Sequence, residues 1–263
     1  MIGAIIGDIV GSPYEFSNNL PKNDFELFTS NCSYTDDTIC TVAIADAILN
    51  NLSYQEALLN WCHRYPNPMG GYGNMFYQWL NSDNPLPQNS CGNGAAMRVS
   101  AVAWLFDNYH DVLKESKRCT EVSHAHSEAI KGAQCVATLT YWLRTCRITK
   151  SEVEDAVKHN FGYNIPSLSD IYKIGSERHF DATCQETVPW AIRCFLESDN
   201  FEDAIRLAVG AGGDTDTKAA ICGSIAEAYY EIPDELVEKA YEYLPTDILK
   251  IIEQFCERMG TKL

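Results

Sequence analysis

Nowhere in these 263 residues do lysine and arginine gather into a run, and the formal charge is −16, from 20 basic against 36 acidic side chains. Such a surface repels a polyanion, so extended contact with DNA or RNA is not expected. No apolar stretch approaches the roughly 18 residues of a membrane helix, so no membrane partner is expected either. The opening Met1 to Val10 is apolar, but it has no basic flank and Asp8 interrupts it, which does not fit a secretory signal. A cytoplasmic location follows as the expectation. Cys-x-x-Cys pairs are also absent. The 11 cysteines are scattered and odd in number, which argues against a disulfide framework. Cys40, Cys135, Cys194 and Cys222 fall inside apolar helical patterns and read as buried thiols. No linker rich in Pro, Gly or Ser divides the chain, so one domain spanning 1–263 is expected, with a monomer as the default. Finally, no Ser or Cys nucleophile pairs with a nearby His in an interpretable motif, so covalent acyl transfer has no support.

What is present is helical rhythm. Apolar positions recur three and four apart in segments of ten to twenty residues, and 46% of the chain is hydrophobic. Ile39 to Leu49 reads as a helix buried on most sides, and Ser53 with Glu56 as a capping box opening a helix through Arg64. Pro66 to Asn74 is a loop. Helical patterns follow in Met75 to Leu80, Ala95 to Asn108 and Ser127 to Arg144, and Ser151 with Glu154 predicts another capping box. Thr187-Val188-Pro189-Trp190 predicts a helix start with Pro in the first turn. Phe201 to Val209 continues the pattern, and Thr217 to Tyr230, rich in small residues, predicts the central helix. Asp234 to Tyr243 and Thr246 to Met259 look peripheral. The fold class is all-α, a compact single-domain helical bundle.

Two short clusters carry the chemistry. Thr35-Asp36-Asp37-Thr38 and Asp214-Thr215-Asp216-Thr217 each open a long apolar pattern, and they read as two halves of one site. Carboxylates gathered in one cleft repel unless cations or protons neutralise them. The clusters offer only carboxylates and hydroxyls, a donor set for Mg²⁺ and its relatives and not for zinc. Thr and Asp are also favoured helix caps, and capping is compatible with ligation. Glycines four apart in Gly3, Gly7 and Gly11 predict close helix packing. Ser12-Pro13-Tyr14 then breaks the helix and leaves Glu15 on a loop. Ser90-Cys91-Gly92-Asn93-Gly94 is a glycine-rich turn running into a helical pattern, a candidate phosphate cradle or an ordinary turn. Arg98 would add charge there or satisfy buried carbonyls. His126 reads as a helix-entry residue, and His124 as a candidate for the cleft wall.

In order along the chain, Gly3 to Gly11 with Tyr14 and Glu15, Tyr34 to Thr38, Gly71-Tyr72-Gly73, Gly92 to Arg98, Ser123-His124, Thr187 to Pro189 and Gly212 to Thr217 resemble the motifs of the ADP-ribosylglycohydrolase family, the ADP-ribosyl-acceptor hydrolases. The resemblance spans nearly the whole chain. It implies a compact all-α fold with two divalent cations, Mg²⁺ or Mn²⁺, and hydrolysis of the glycosidic bond between ADP-ribose and an acceptor, either an ADP-ribosylated protein side chain or a small conjugate. On matching positions it implies metal ligation by Thr35, Asp36, Asp37, Asp214, Asp216 and Thr217. Glu15 would sit at the metal site and gate substrate entry. Ser90, Gly92 and Asn93 would lie along the pyrophosphate and distal ribose, with His124 near the diphosphate. The cations would orient ribose hydroxyls and a water, and Asp36 or Asp37 would take the water's proton. Two departures stand out. Cys91 removes a ring contact that some relatives place there, and Glu227 and Glu231 flank Ala228-Tyr229-Tyr230 where glycine is common in the family, which implies altered packing on the last central helix.

Three other readings compete. Asp214-x-Asp216 superficially matches a haloacid-dehalogenase nucleophile loop, but the preceding Gly210, Gly212 and Gly213 replace the required strand and Lys218 occupies the fifth position. A scaffold that binds ADP-ribose without cleaving it is the second, and a di-metal hydrolase of another nucleotide derivative the third. Retention of the clustered carboxylates favours the enzyme over the binder, since like charges are costly to keep without a metal.

Overall fold

The computed structural model describes residues 1–260 except 18–19, 22–23 and 178, so the last three residues of the expected domain lie outside the described region. Among the described residues every regular element is a helix. They run α1 Ile2–Gly11, α2 Asp36–Leu49, α3 Tyr54–Arg64, α4 Asn74–Leu80, α5 Ser100–Leu105, α6 Tyr109–Glu121 and α7 Ser127–Arg144. After these come α8 Val153–Phe161, α9 Leu168–Ser176, α10 Cys184–Glu197, α11 Phe201–Gly210, α12 Thr215–Ala226, α13 Asp234–Tyr241 and α14 Thr246–Met259. Among the described residues no helix is long and apolar enough to cross a membrane.

Helix α12 is the axis of the molecule. All twelve of its residues are buried, and α1, α7, α10 and α11 pack around it. The most extensive of these contacts is with α1, itself buried along its whole length. Glycine spacing allows the approach. A Cβ on Gly7 would lie 2.1 Å from the Ala219 carbonyl oxygen, and one on Gly11 would lie 2.6 Å from the Thr215 carbonyl oxygen. Only backbone without side chains fits so close a crossing, and the apolar residues between the glycines, Ile5, Ile6 and Ile9, turn into the core, where each contributes about 1.5–3 kcal/mol. The first turn of α1 is capped from the far end of the chain. Glu227, just past α12, accepts from the Ile2 and Gly3 amides and pairs with the Met1 ammonium.

Several boundaries differ from the sequence expectation, the central helix running Thr215–Ala226 where Thr217 to Tyr230 is expected. The Ala95 to Asn108 pattern is broken into a 3-10 turn, Asn93–Ala95, and the short α5, because Arg98 turns inward to hold a carbonyl of α6. The capping box before α8 is Thr149 with Glu152, two residues ahead of the expected pair. Glu152 accepts from the Thr149 amide at 2.7 Å, while Glu154 is committed to Arg193 at 2.9 Å. Helix α10 begins at Cys184, not Thr187, and so carries Pro189 in its interior. That start is fixed from outside the segment, by the Cys184 amide donating to the Cys91 carbonyl. The bond that Pro189 cannot make costs one acceptor at Gln185, which is exposed to water.

All eleven cysteines are free thiols. Nine are buried, Cys91 is half-buried and Cys146 is exposed.

Candidate active site

The two acidic clusters sit at the starts of α2 and α12, and the tertiary fold brings those starts together. At the first, Thr35 is the N-cap of α2, accepting from the Asp37 amide, so Asp36 and Asp37 occupy the first turn, where the helix dipole favours negative charge. At the second, Asp214 is the N-cap position of α12 and Asp216 lies in its first turn. The Thr217 hydroxyl donates to Asp37 Oδ2 at 3.0 Å, a direct bond across 180 residues of sequence. Glu15 reaches the same place from the loop after α1. One carboxylate oxygen from each of Glu15, Asp214 and Asp216 falls within 4.8 Å of the others.

These residues line a cleft of about 410 Å³. Asp36, Asp37, Glu15, Asp214, Asp216 and Thr217 form one part of its wall, and Ser90, Gly92, Asn93 and His124 form another. Thr35 does not line it. Its hydroxyl is buried and donates to Asp8 Oδ1 at 2.7 Å. Tyr72 and Phe76 supply aromatic wall, and Phe16 and Phe180 stack on each other at 4.8 Å between ring centres.

Asp8 is the site residue that motif reasoning missed. Fully buried in α1, it accepts from the amides of Thr35 and Thr38, both at 3.0 Å, and from both of their hydroxyls. It therefore ties the start of α2 to α1 and indirectly places Asp36 and Asp37. The signal was in plain view: an aspartate inside a ten-residue apolar helix is almost never kept unless it is paired.

The electrostatics are those of crowded acids. Burial pushes Asp8 up to about 6, against the opposing pull of the four threonine hydrogen bonds. Burial, then the charges of Asp214 and Asp8, raise Glu15 to about 8. Asp36, Asp37 and Asp216 are all displaced upward, first by burial and then by neighbouring groups, chiefly other carboxylates. The cation nearest this cluster in sequence, Lys218, is buried, and its ammonium donates to the Gly212 carbonyl at 2.7 Å and lies over the Trp190 ring at 4.2 Å. Its own proton affinity is lowered by burial, with Asp214 opposing. One lysine does not balance six carboxyl groups.

Hard cations fit this donor set. Asp37 Oδ1 and Asp216 Oδ1 are buried without a hydrogen-bond partner among the described residues, a costly arrangement for bare carboxylates and an ordinary one for ligands. Every candidate donor is an oxygen, as Mg²⁺ and Mn²⁺ prefer.

The second wall is held just as firmly. Asn93 donates from its amide to the Ala182 carbonyl at 2.8 Å, and its side-chain nitrogen donates to Thr187 Oγ1 at 3.0 Å and Asp214 Oδ2 at 2.7 Å. Asn93 thus links the glycine-rich turn to α10 and to the acidic cluster, and this is the role of the Thr187 motif. The cradle is a 3-10 turn and not the start of a long helix, so it draws no macrodipole from one. Ser90 accepts from the Gly92 amide at 3.2 Å. His126, as expected, caps α7 by accepting from the Glu128 amide.

Comparison with known proteins agrees with this architecture. The profile of the ADP-ribosylglycohydrolase family matches residues 1–262. ADP-ribosylhydrolase ARH3 of Mus musculus is 26% identical over 95% of this chain and 88% of its own length, and the Homo sapiens protein 25% over 95% and 90%. ADP-ribosylarginine hydrolase Tri1 of Pseudomonas putida (strain GB-1) is 27% identical over 91% of this chain and 72% of its own. A solved ADP-ribosylglycohydrolase-related protein complex shares the fold, with a TM-score of 0.71 at 20% identity, covering 100% of this chain and 97% of that one. With its profile matched end to end, its helices superposable on a solved relative and its acidic clusters drawn into one cleft, this chain belongs to the ADP-ribosylglycohydrolase family.

Proposed function

We propose that this protein hydrolyses the glycosidic bond between ADP-ribose and an acceptor, in a cleft whose acidic wall holds two divalent cations. The observation that carries the reading is the convergence of Asp36 and Asp37 with Asp214, Asp216 and Thr217 around one cavity, bridged by the Thr217–Asp37 hydrogen bond. The relatives named for cleaving ADP-ribosyl linkages span nearly the whole chain and support it.

When bound, the cations would be held by Asp36, Asp37, Asp214, Asp216 and Thr217, with Thr35 behind them, and would supply positive charge for the ribose hydroxyls and an attacking water. In the reaction, water adds to the anomeric carbon as the bond to the acceptor breaks and the acceptor leaves with a proton. Asp36 or Asp37, both on the cleft wall, takes the water's proton. Glu15 lies against Gly70, where an added Cβ would stand 2.4 Å from its Oε2, and from that loop it governs entry to the acidic wall. Ser90, Gly92, Asn93 and His124 receive the diphosphate and distal ribose at the adjoining wall. Asn93 also restrains Asp214, so substrate contact and metal support share one side chain.

The test is incubation with ADP-ribosylated arginine and serine peptides, with Mg²⁺ and with chelator, following release of ADP-ribose. Metal-dependent release is expected, and the peptide that is cleaved identifies the linkage. A double variant, Asp36→Asn with Asp216→Asn, that kept full activity and unchanged Mg²⁺ affinity would rule the mechanism out.

A further inference from the structure

The cleft wall contains a hydrogen-bond chain whose polarity is fixed by chemistry. Arg98, fully buried, donates from Nη2 to Ser123 Oγ at 2.8 Å and to the Cys119 carbonyl at 3.1 Å. A guanidinium has no acceptor, so Ser123 Oγ must be the acceptor in that bond. The same Oγ lies 2.9 Å from His124 Nδ1. Ser123 is buried, and its hydroxyl has these two partners among the described residues. Its own hydrogen therefore has one acceptor within reach, the lone pair of Nδ1. If Nδ1 carried a proton, that hydrogen would be orphaned in the interior, at a cost of about 1–3 kcal/mol. The ring must then carry its proton on Nε2, the nitrogen that faces the glycine-rich turn. An added Cβ on Gly92 or on Gly94 would stand 3.5 Å from it.

We infer that Arg98 and Ser123 are positioning residues that lock His124 into its Nε2–H tautomer, so that it meets the ligand as a neutral, one-way hydrogen-bond donor and takes no part in proton transfer. The surrounding geometry is consistent with this. The backbone on both sides is pinned, the Gln88 amide donating to the Ser123 carbonyl and the Ala125 amide to the Gln88 carbonyl. The Phe76 ring flanks the imidazole, 6.1 Å between ring centres. Burial, with the Arg98 charge behind it, also pulls the His124 proton affinity down to about 3, so the imidazolium is not formed near neutral pH. A fixed donor beside glycine backbone suits an oxyanion acceptor. Given the function proposed above, that acceptor is a diphosphate oxygen of the ADP-ribose moiety.

The tautomer can be read without any ligand, so its fate and that of the proposed activity are separable. In ¹⁵N-histidine-labelled full-length protein, with the His124 signals identified by their loss in His124→Gln, a protonated Nε2 and a bare, hydrogen-bonded Nδ1 are expected at pH 7 and unchanged at pH 5.5. A proton on Nδ1, or an imidazolium at pH 5.5, overturns the inference whatever the enzyme cleaves. Ser123→Ala removes the donor to Nδ1. The nitrogen shifts should move to intermediate values as both tautomers populate, and ADP-ribose affinity should fall about tenfold, equivalent to about 1.4 kcal/mol. Ser123→Thr keeps a hydroxyl and should restore both. Wild-type nitrogen shifts in Ser123→Ala refute the lock. Should that variant not fold, the wild-type spectrum and Ser123→Thr decide the matter alone.

Discussion

The crowding of acids makes a joint prediction about metal and pH. On folding, the affinities of Asp8 and Glu15 for protons rise, to about 6 and about 8. A group raised in the folded state stabilises fully below its unfolded value, near 4, and that stability is lost as pH climbs through the folded value. Metal-free protein should therefore weaken steadily from pH 5 to pH 9. Each tenfold change in proton affinity is worth about 1.4 kcal/mol. With Glu15 discounted for its partial exposure to solvent, the loss is on the order of 2–4 kcal/mol. A divalent cation opposes this, because it competes with protons for the same oxygens. At one hundred times its Kd it adds about 2.7 kcal/mol. Unfolding entropy for a chain of this length is about 0.55 kcal/mol per kelvin, so Mg²⁺ should raise Tm by about 5 °C at pH 8. At pH 5 the acids are partly protonated, and the increment should shrink to about 1–2 °C. Thermal unfolding followed by circular dichroism, with Mg²⁺ or with chelator across this pH range, measures both numbers. Equal Tm values with and without Mg²⁺ at pH 8, or an increment that does not diminish at pH 5, would refute the reasoning.

Other perturbations probe separate parts of the structure. Asp8→Ala orphans the donors of Thr35 and Thr38 and should cost about 3 kcal/mol or more, with Mg²⁺ affinity falling in parallel; Tm and metal titration report each. Gly7→Ala places a Cβ against the Ala219 backbone, which cannot give way as a side chain would, and should cost at least about 3 kcal/mol in urea unfolding. Asn93→Ala removes the bonds to Thr187 and Asp214 and should raise KM and weaken Mg²⁺ binding together, where loss of a substrate contact alone would move only KM. A thiol reagent under native conditions should modify Cys146 quickly and Cys91 slowly, with the other nine reacting only on unfolding, as mass spectrometry of the labelled protein would show.

Much of the fold was legible because it is written in local chemistry. Helix α7 has the bounds its periodicity predicts, Ser53 caps α3 by accepting from the Glu56 amide, and the small-residue pattern after Thr217 marks the central helix. The two acidic clusters were also legible, since runs of Thr and Asp at helix starts are recognisable wherever they lie in a chain. Boundaries that depend on distant partners were not. Whether α10 begins at Cys184 or Thr187 is settled by the Cys91 carbonyl, and the interruption before α5 by the inward turn of Arg98.

The amino-acid order thus determined helix content, the close-packing glycines and the chemical kind of the site, because capping, periodicity and ligand preference act within a few residues. Tertiary structure alone decided that Asp8 would anchor Thr35 and Thr38, that Thr217 would reach Asp37 across the cleft, and which nitrogen of His124 faces it. The first two are contacts between segments remote in sequence, as is the Arg98–Ser123 bond behind His124, and α1 packs against both of the helices that open with acidic clusters.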